Sequence, residues 1–334
     1  MELIIAVSRG KGEGKMSDLK RTEWMYQKKW GVFIHQLHRQ INVSTHPKSM
    51  GKETSWNEAI DDFDCELFAS QLHEVGAGWC VVTIMQQTKH MIAPNETFDK
   101  ITGYQPGEAC AKTDFIEKMY DALSKYDIDL ILYYTGDGPI ADEQAKKAFG
   151  AYHIDGKPLT EEFVQKWADV AREYSLRYGK KVKGWWQDGM WIGYTPELLK
   201  IYADAFHAGN PDAVIASNFY GCLDEFGNFV TMPRKGCPYD DFTAGELVHL
   251  GAVPYAPDIA LTGCRWHALS FLGVPEVEYD GWGEPGSKYT PGWMYDYVDK
   301  IHKKGGIITL DICAYRDGHI DEEQMRVLRV LKTV

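Results

Sequence analysis

The chain has 334 residues, 44% of them hydrophobic, 13% aromatic and 25% charged, and its 36 Lys and Arg against 48 Asp and Glu give a formal charge of −12. Such a length buries roughly three quarters of its unfolded surface, enough for one large α/β domain or two smaller ones. With no block of Lys or Arg it offers no electrostatic footprint for a phosphate backbone or an anionic bilayer, which argues against nucleic acid and membrane as partners.

The 11 Trp and 19 Tyr suit either an aromatic-rich core or a site whose rings stack on the apolar face of a sugar or base. Seven cysteines, scattered and without C-x-x-C spacing, read as thiols of a reducing compartment. No run of about 18 apolar residues occurs, and the opening lacks the basic start and apolar stretch of a secretory signal, so the expectation is a cytoplasmic protein. Met16 precedes SDLKRTEW, so residues 1–15 are expected to be an extension outside the fold, with 16–334 forming one domain.

Along the chain, β-rich runs alternate with segments of helical period, the signature of parallel βα units. WGVFIH (30–35) is a first strand, followed by a helix in FDCELFASQLHEVG. GWCVVTIM (78–85) is the second strand, and TDFIEKMYDALSKY is a helix starting at a Thr cap. DLILYY (129–134) is the third strand. EEFVQKWADVAREYSLRYG is a helix with Gly179 at its C-terminus, and KVKGWWQD (181–188) is the fourth strand. PELLKIYADAFHAG and AVIASN (213–218) supply another helix and strand. A Gly/Pro/Asp-rich stretch from 219 to about 258 reads as functional loops. GWMYDYVDKIHKKGG, IITLDI (307–312) and DEEQMRVLRVL close the chain as helix, strand and helix. Six strands are clear, and an eight-stranded barrel requires two more from residues 260–279. The fold expected is a single-domain (β/α)8-like TIM barrel.

In such a barrel the chemistry collects at the C-terminal strand ends. Those ends carry His35, Gln86 and Gln87, Tyr133-Tyr134-Thr135, and Asp188. Asp188 sits in GWWQDG, between two Trp and a Gly, a setting unusual for a surface or capping Asp, although a strand-end or capping role is the plain alternative. His35 suits either a site or a core histidine bonded to backbone. His35 and His38 admit a metal reading, but no second ligand pair of the usual spacing accompanies them, so no metal is expected. Retaining glycoside hydrolysis needs a second carboxylate. Glu246 follows Asp240 and Asp241, whose charge would raise a neighbouring carboxyl pKa if they converge, and Glu276, Glu278 and Asp280 form a rival set beside Trp282.

The order of these segments resembles the family-29 glycoside hydrolases, the α-L-fucosidases, over about residues 20–332. EWMYQKKWGVFIH is similar to that family's Glu-Trp, spacer, Phe-Gly-Ile-Phe-Ile-His-Trp-Gly opening. FDCELFASQLHEVGAGWCVVT, LILYYT, GWWQDG and KKGGIITLDICAYRDGHIDEEQ resemble, in order, its next helix and strand, its Tyr-Tyr strand, its Trp-x-Asp-Gly strand and its Gly-Gly-Asn-Leu-Leu-Leu-Asn-Ile-Gly-Pro ending. The resemblance implies a (β/α)8-like catalytic barrel without the β-sandwich that usually follows it. It places Asp188 on the nucleophile, His35 on a sugar-binding histidine, Trp186 and Trp56 on ring-stacking positions and Tyr134 on a sugar-contacting tyrosine. DDFTAGE resembles a Gly-Asp-Tyr-x-Thr-Pro-Glu segment, which puts Glu246 on the acid/base, while Glu276 and Glu278 lie in the later loop that other members use.

The implied activity is that of a retaining glycosidase free of cofactor and metal, acting on an oligosaccharide or other glycoside, its two carboxyls about 5–5.5 Å apart. Trp56, Trp186 and Trp282 would stack on the sugar, and His35, Gln86, Gln87 and Tyr134 would hold its hydroxyls. There are departures. Gln86-Gln87 replaces the family's His-His, Gln36-Leu37 replaces Trp-Gly, and Phe219 stands where an Arg is expected. A glutamine can hold a hydroxyl as a neutral histidine does but carries no charge, so a sugar other than fucose, or sugar binding without turnover, stays open. A metal-dependent hydrolase using His35, His38 and Asp188 is a third reading.

Overall fold

In the computed structural model the described residues are 16–190, 193–223, 229–231, 235–252, 263–275 and 280–334. Among the described residues there are eight strands: β1 (Trp30–Ile34), β2 (Trp79–Thr83), β3 (Asp129–Thr135), β4 (Val182–Met190), β5 (Val214–Leu223), β6 (Phe229–Thr231), β7 (His267–Phe271) and β8 (Ile307–Ile312). Seven of them form one curled parallel sheet in the order β5-β4-β3-β2-β1-β8-β7, and β6 adds an antiparallel edge to β5. This is a single α/β domain of the (β/α)8-like kind. Its strands read as near-continuous apolar runs because parallel strands are covered on both faces.

The six strands placed from sequence form within a few residues of their expected bounds, and so do the helices Cys65–Val75, Phe115–Ser124, Glu161–Tyr178, Pro196–Phe206, Pro291–Lys303 and Glu322–Arg329. The cap of Phe115–Ser124 is Asp114, whose side chain accepts from Glu117 N, rather than the Thr expected. Gly179 follows the long helix with a positive φ of +51, but its ψ of −127 is not the left-handed geometry usual at a helix C-terminus.

The barrel closes differently from the expectation. Among the described residues, 263–275 supply only β7. The position between β5 and β7 is taken by residues 241–247, out of the stretch read as loops. Asp241 N donates to Ile215 O (2.8 Å), Thr243 N to Arg265 O (2.9 Å), Leu269 N to Gly245 O and Leu247 N to Leu269 O (both 2.8 Å). Regular strand geometry breaks at Gly245, whose φ is +66 and where a Cβ would lie 1.9 Å from His267 O. Only glycine permits that approach.

Side-chain alternation divides the strands into two layers. Phe33, Trp79, Val81, Ile131, Tyr133, Trp186, Ala244 and Leu269 pack together inside the barrel. Val32, Cys80, Leu132, Tyr134 and Trp185 join the outer core beneath the helices. Cys65, Cys80, Cys110, Cys237 and Cys313 are buried thiols outside any disulfide, and no helix among the described residues is long and apolar enough to cross a membrane.

Candidate active site

The C-terminal ends of β1 to β4, together with Glu246 and the loop before residue 283, enclose a cavity of about 130 Å³. On the scale of a water-sized sphere this is room for roughly ten heavy atoms, close to one sugar ring. Its lining includes His35, Arg39, Gln86, Tyr133, Trp186, Asp188, Glu246, Asp280 and Trp282.

Asp188 is placed by β4, whose Trp186 pairs with Tyr133 of β3 and whose Asp188 pairs with Thr135. The carboxylate is buried. Its Oδ2 accepts from the Tyr133 hydroxyl at 2.7 Å and its Oδ1 from Asn218 Nδ2 at 2.9 Å. Gly189 follows with φ +65, and a Cβ there would meet the Asp137 carboxyl at 2.8 Å, so the glycine lets the chain turn away tightly behind the carboxylate.

Glu246 projects from the irregular 241–247 segment, half-buried against the cavity. Asn218 Nδ2 donates to its Oε2 as well, so one amide nitrogen spends both its hydrogens on the two carboxyls. Burial raises the Glu246 pKa most, and the neighbouring Asp188 charge adds to it; the Asn218 hydrogen bond partly offsets this, and Asp280 pushes the same way as Asp188. Asp240 and Asp241 do not supply that charge. Asp240 is buried, accepts from Gly236 N (2.8 Å) and Cys237 N (3.0 Å), and is pushed up to about 7 by its own burial. Asp241 accepts from Ile215 N (3.0 Å) and faces Arg21 at 3.6 Å.

His35 Nδ1 bonds to Asp311 Oδ2 at 2.7 Å, which leaves Nε2 as the nitrogen free to meet a ligand. The fully buried Lys48 donates to His35 O (2.6 Å) and Gln40 Oε1 (3.0 Å), and Gln40 Nε2 donates to Trp282 O (2.8 Å). One cation thus ties the end of β1 to the loop carrying Trp282, and burial lowers its pKa. Trp282 stands edge-on to His35, with centroids 5.8 Å apart. Trp186 stacks on Tyr133 at 5.7 Å and meets the Phe33 edge at 5.9 Å, while its Nε1 donates to Ala244 O at 3.2 Å.

Three residues assigned from sequence stand elsewhere. Tyr134 points outward: its hydroxyl donates to Trp167 O at 2.5 Å and its ring stacks on Trp167 at 5.0 Å. Alternation along β3 gives the cavity to Tyr133 instead. Trp56 lies in the outer core, its Nε1 donating to Met91 O at 2.8 Å, beside a stacked His38–His90 pair whose centroids are 4.0 Å apart. Gln87, at φ +62, turns away and donates to Asp137 Oδ2 at 2.9 Å. Gln86 does line the cavity, but it donates to the Tyr133 hydroxyl (3.1 Å) and accepts from Arg39 (2.6 Å). His38, weighed with His35 as a metal ligand, stacks on His90, and its Nε2 lies 3.3 Å from Asn42 Nδ2. Glu276 and Glu278 lie outside the described residues.

Sequence reasoning passed over Asn218 and Arg39, and placed Tyr133 at a strand end without giving it a role. Asn218 ends the segment AVIASN and was open to the same strand-end argument that singled out Asp188.

The fold and the cavity together define a (β/α)8-like barrel with an aromatic, two-carboxylate pocket at its strand ends. No family model and no curated protein matches the sequence. Among solved structures, it is similar to an endo-fucoidan hydrolase of glycoside hydrolase family 107 (14% identity, TM-score 0.68, covering 96% of this chain and 54% of that one). The chain therefore spans about half the length of that enzyme. A second endo-fucoidan hydrolase of family 107 gives 15% identity and TM-score 0.65 over 94% of this chain and 92% of that one. An α-L-fucosidase of glycoside hydrolase family 29 from Bacteroides thetaiotaomicron gives 16% identity and TM-score 0.60 over 99% and 76%. At such identities the likeness is one of fold, and it extends to two families rather than family 29 alone.

Proposed function

We propose that this protein is a retaining glycoside hydrolase acting on an α-L-fucoside or a fucose-containing glycan, with Asp188 as nucleophile and Glu246 as acid/base. The observation that carries this reading is the Asn218 amide nitrogen, which bonds both carboxyls. Two hydrogen bonds on one nitrogen hold the bonded oxygens no more than about 5.5 Å apart, the spacing of retaining enzymes rather than the roughly 6.5–9.5 Å of inverting ones.

Asp188 attacks the anomeric carbon while Glu246 passes its proton to the departing glycosidic oxygen, giving a glycosyl ester on Asp188. Water then attacks that carbon, Glu246 takes its proton, and the Asp188 carboxylate leaves. The raised Glu246 pKa keeps the acid protonated near neutrality for the first step. Esterification removes the Asp188 charge that helps raise it, so the same group becomes a better base for the second. His35 Nε2 and the Trp186 and Trp282 rings are placed to hold the sugar.

One observation favours a sugar other than fucose. Gln86 and Gln87, standing where the resembling family has its His pair, are engaged with Tyr133, Arg39 and Asp137. The reading as a non-catalytic sugar binder predicts binding without turnover and no Glu near Asp188; the shared Asn218 contact of Glu246 and Asp188 favours the catalytic reading.

The test is a panel of 4-nitrophenyl glycosides, with product stereochemistry followed by NMR. Retention of configuration and loss of turnover in Asp188→Asn are expected. Inversion, or activity that persists in the variant, overturns the assignment.

A further inference from the structure

The Tyr133 hydroxyl sits between two polar groups: it donates its one hydrogen to Asp188 Oδ2 at 2.7 Å and accepts from Gln86 Nε2 at 3.1 Å. Which of them receives that hydrogen depends on the orientation of the Gln86 amide. If Nε2 faces Tyr133, the phenol oxygen accepts from Gln86 and its hydrogen goes to Asp188. If Oε1 faced Tyr133, the hydrogen would be drawn to Gln86 and Asp188 would lose a donor. The other end of Gln86 meets Arg39, whose Nη2 lies 2.6 Å from Oε1. A guanidinium donates and never accepts, so Arg39 permits only the first orientation.

We propose that Arg39 is a positioning residue for the nucleophile, acting through Gln86 and Tyr133. Its donor-only charge fixes the direction of a three-bond chain, Arg39 to Gln86 to Tyr133 to Asp188, and commits the Tyr133 hydrogen to the attacking carboxylate. The chain also accounts for the residue at position 86: it serves the nucleophile rather than a sugar hydroxyl. This inference rests on the reading of Asp188 as nucleophile and adds to it a residue that does not touch the carboxylate.

The experiment compares Arg39→Lys, Arg39→Glu and Tyr133→Phe, alone and combined, in the full chain. Tyr133→Phe is expected to lower kcat about 10- to 100-fold with KM little changed, the effect of losing one hydrogen bond to a charged group. Arg39→Lys keeps a donor-only cation and should stay within about threefold of wild type, whereas Arg39→Glu, an acceptor, should turn the amide and cost about tenfold in kcat. In the Tyr133→Phe background Arg39→Glu should have no further effect, because the hydrogen it redirects is gone. Equal losses in the two Arg39 variants, or an Arg39→Glu effect that persists in that background, overturn the proposal. A crystal structure of Arg39→Glu supplies a readout independent of turnover. The Tyr133–Asp188 contact should open from 2.7 Å to beyond hydrogen-bonding reach, and an unchanged contact overturns the chain. If the wild-type protein turns over no glycoside, the functional reading fails while this structural arm still decides the chain.

Discussion

The two carboxyls of the pocket stand on unlike supports. Asp188 lies near the end of a nine-residue strand, paired with Thr135 of β3, and follows Gln187, which pairs with Ser217 of β5 before the β5 register shifts. Glu246 projects from a segment held to β7 by isolated bridges and bent at Gly245. A group that must approach an anomeric carbon in line gains from the stiffer setting, since a displacement near 1 Å can cost about 10²-fold in rate. A group that gives up a proton in one step and takes one in the next depends more on its electrostatic surroundings. Burial and the charge of Asp188 provide those surroundings whatever the regularity of the backbone.

Substitutions can break this contrast. Asp188→Asn, which keeps the shape and removes the nucleophilic charge, should lower kcat/KM by at least about 10³-fold for every leaving group. Glu246→Gln should cost about 10²–10⁴-fold with an alkyl leaving group and far less with 4-nitrophenol, which needs no protonation; an equal loss on both would remove Glu246 from the acid role. In the same variant the alkaline limb of the pH–rate profile should disappear.

A smaller effect is expected from Asn218→Ala. The Asn218 hydrogen bond favours the charged form of Glu246, so its loss raises the pKa of that carboxyl further. The alkaline limb should therefore move to higher pH, with a fall of about tenfold in kcat; a limb that stays in place would show that the amide does not act on the acid. The smallest change, Tyr134→Phe, tests the division of β3 into two faces. It should cost about 1 kcal/mol in denaturant unfolding through the lost bond to Trp167 O and leave kcat unchanged.

Much of this architecture could be read from the sequence, because parallel strands covered on both faces are written as apolar runs between helical segments. Asp188, His35, Trp186, Trp282, Gln86 and Glu246 meet around one cavity, and the strand-end argument reaches most of them. The misplacements have specific causes. Tyr133 and Tyr134 are equivalent as letters, and only the β3–β4 register, Tyr133 opposite Trp186, shows which one shares the face of Asp188. Trp56 followed a motif position, yet its indole N–H is satisfied by a carbonyl of the outer core. The 241–247 segment does not read as a strand because its geometry breaks at Gly245, at φ +66, and only isolated bridges tie it to its neighbours.

The two-faced packing of β3 and β4 has a practical consequence for anyone reshaping the pocket. Saturating a contiguous window such as residues 131–136 would spend half its diversity on side chains that anchor the helices, and many of its members would fail to fold. A library restricted to alternate positions on adjacent strands, varying Tyr133 and Trp186 while holding Leu132, Tyr134 and Trp185, searches sugar preference while leaving the helix-facing layer intact.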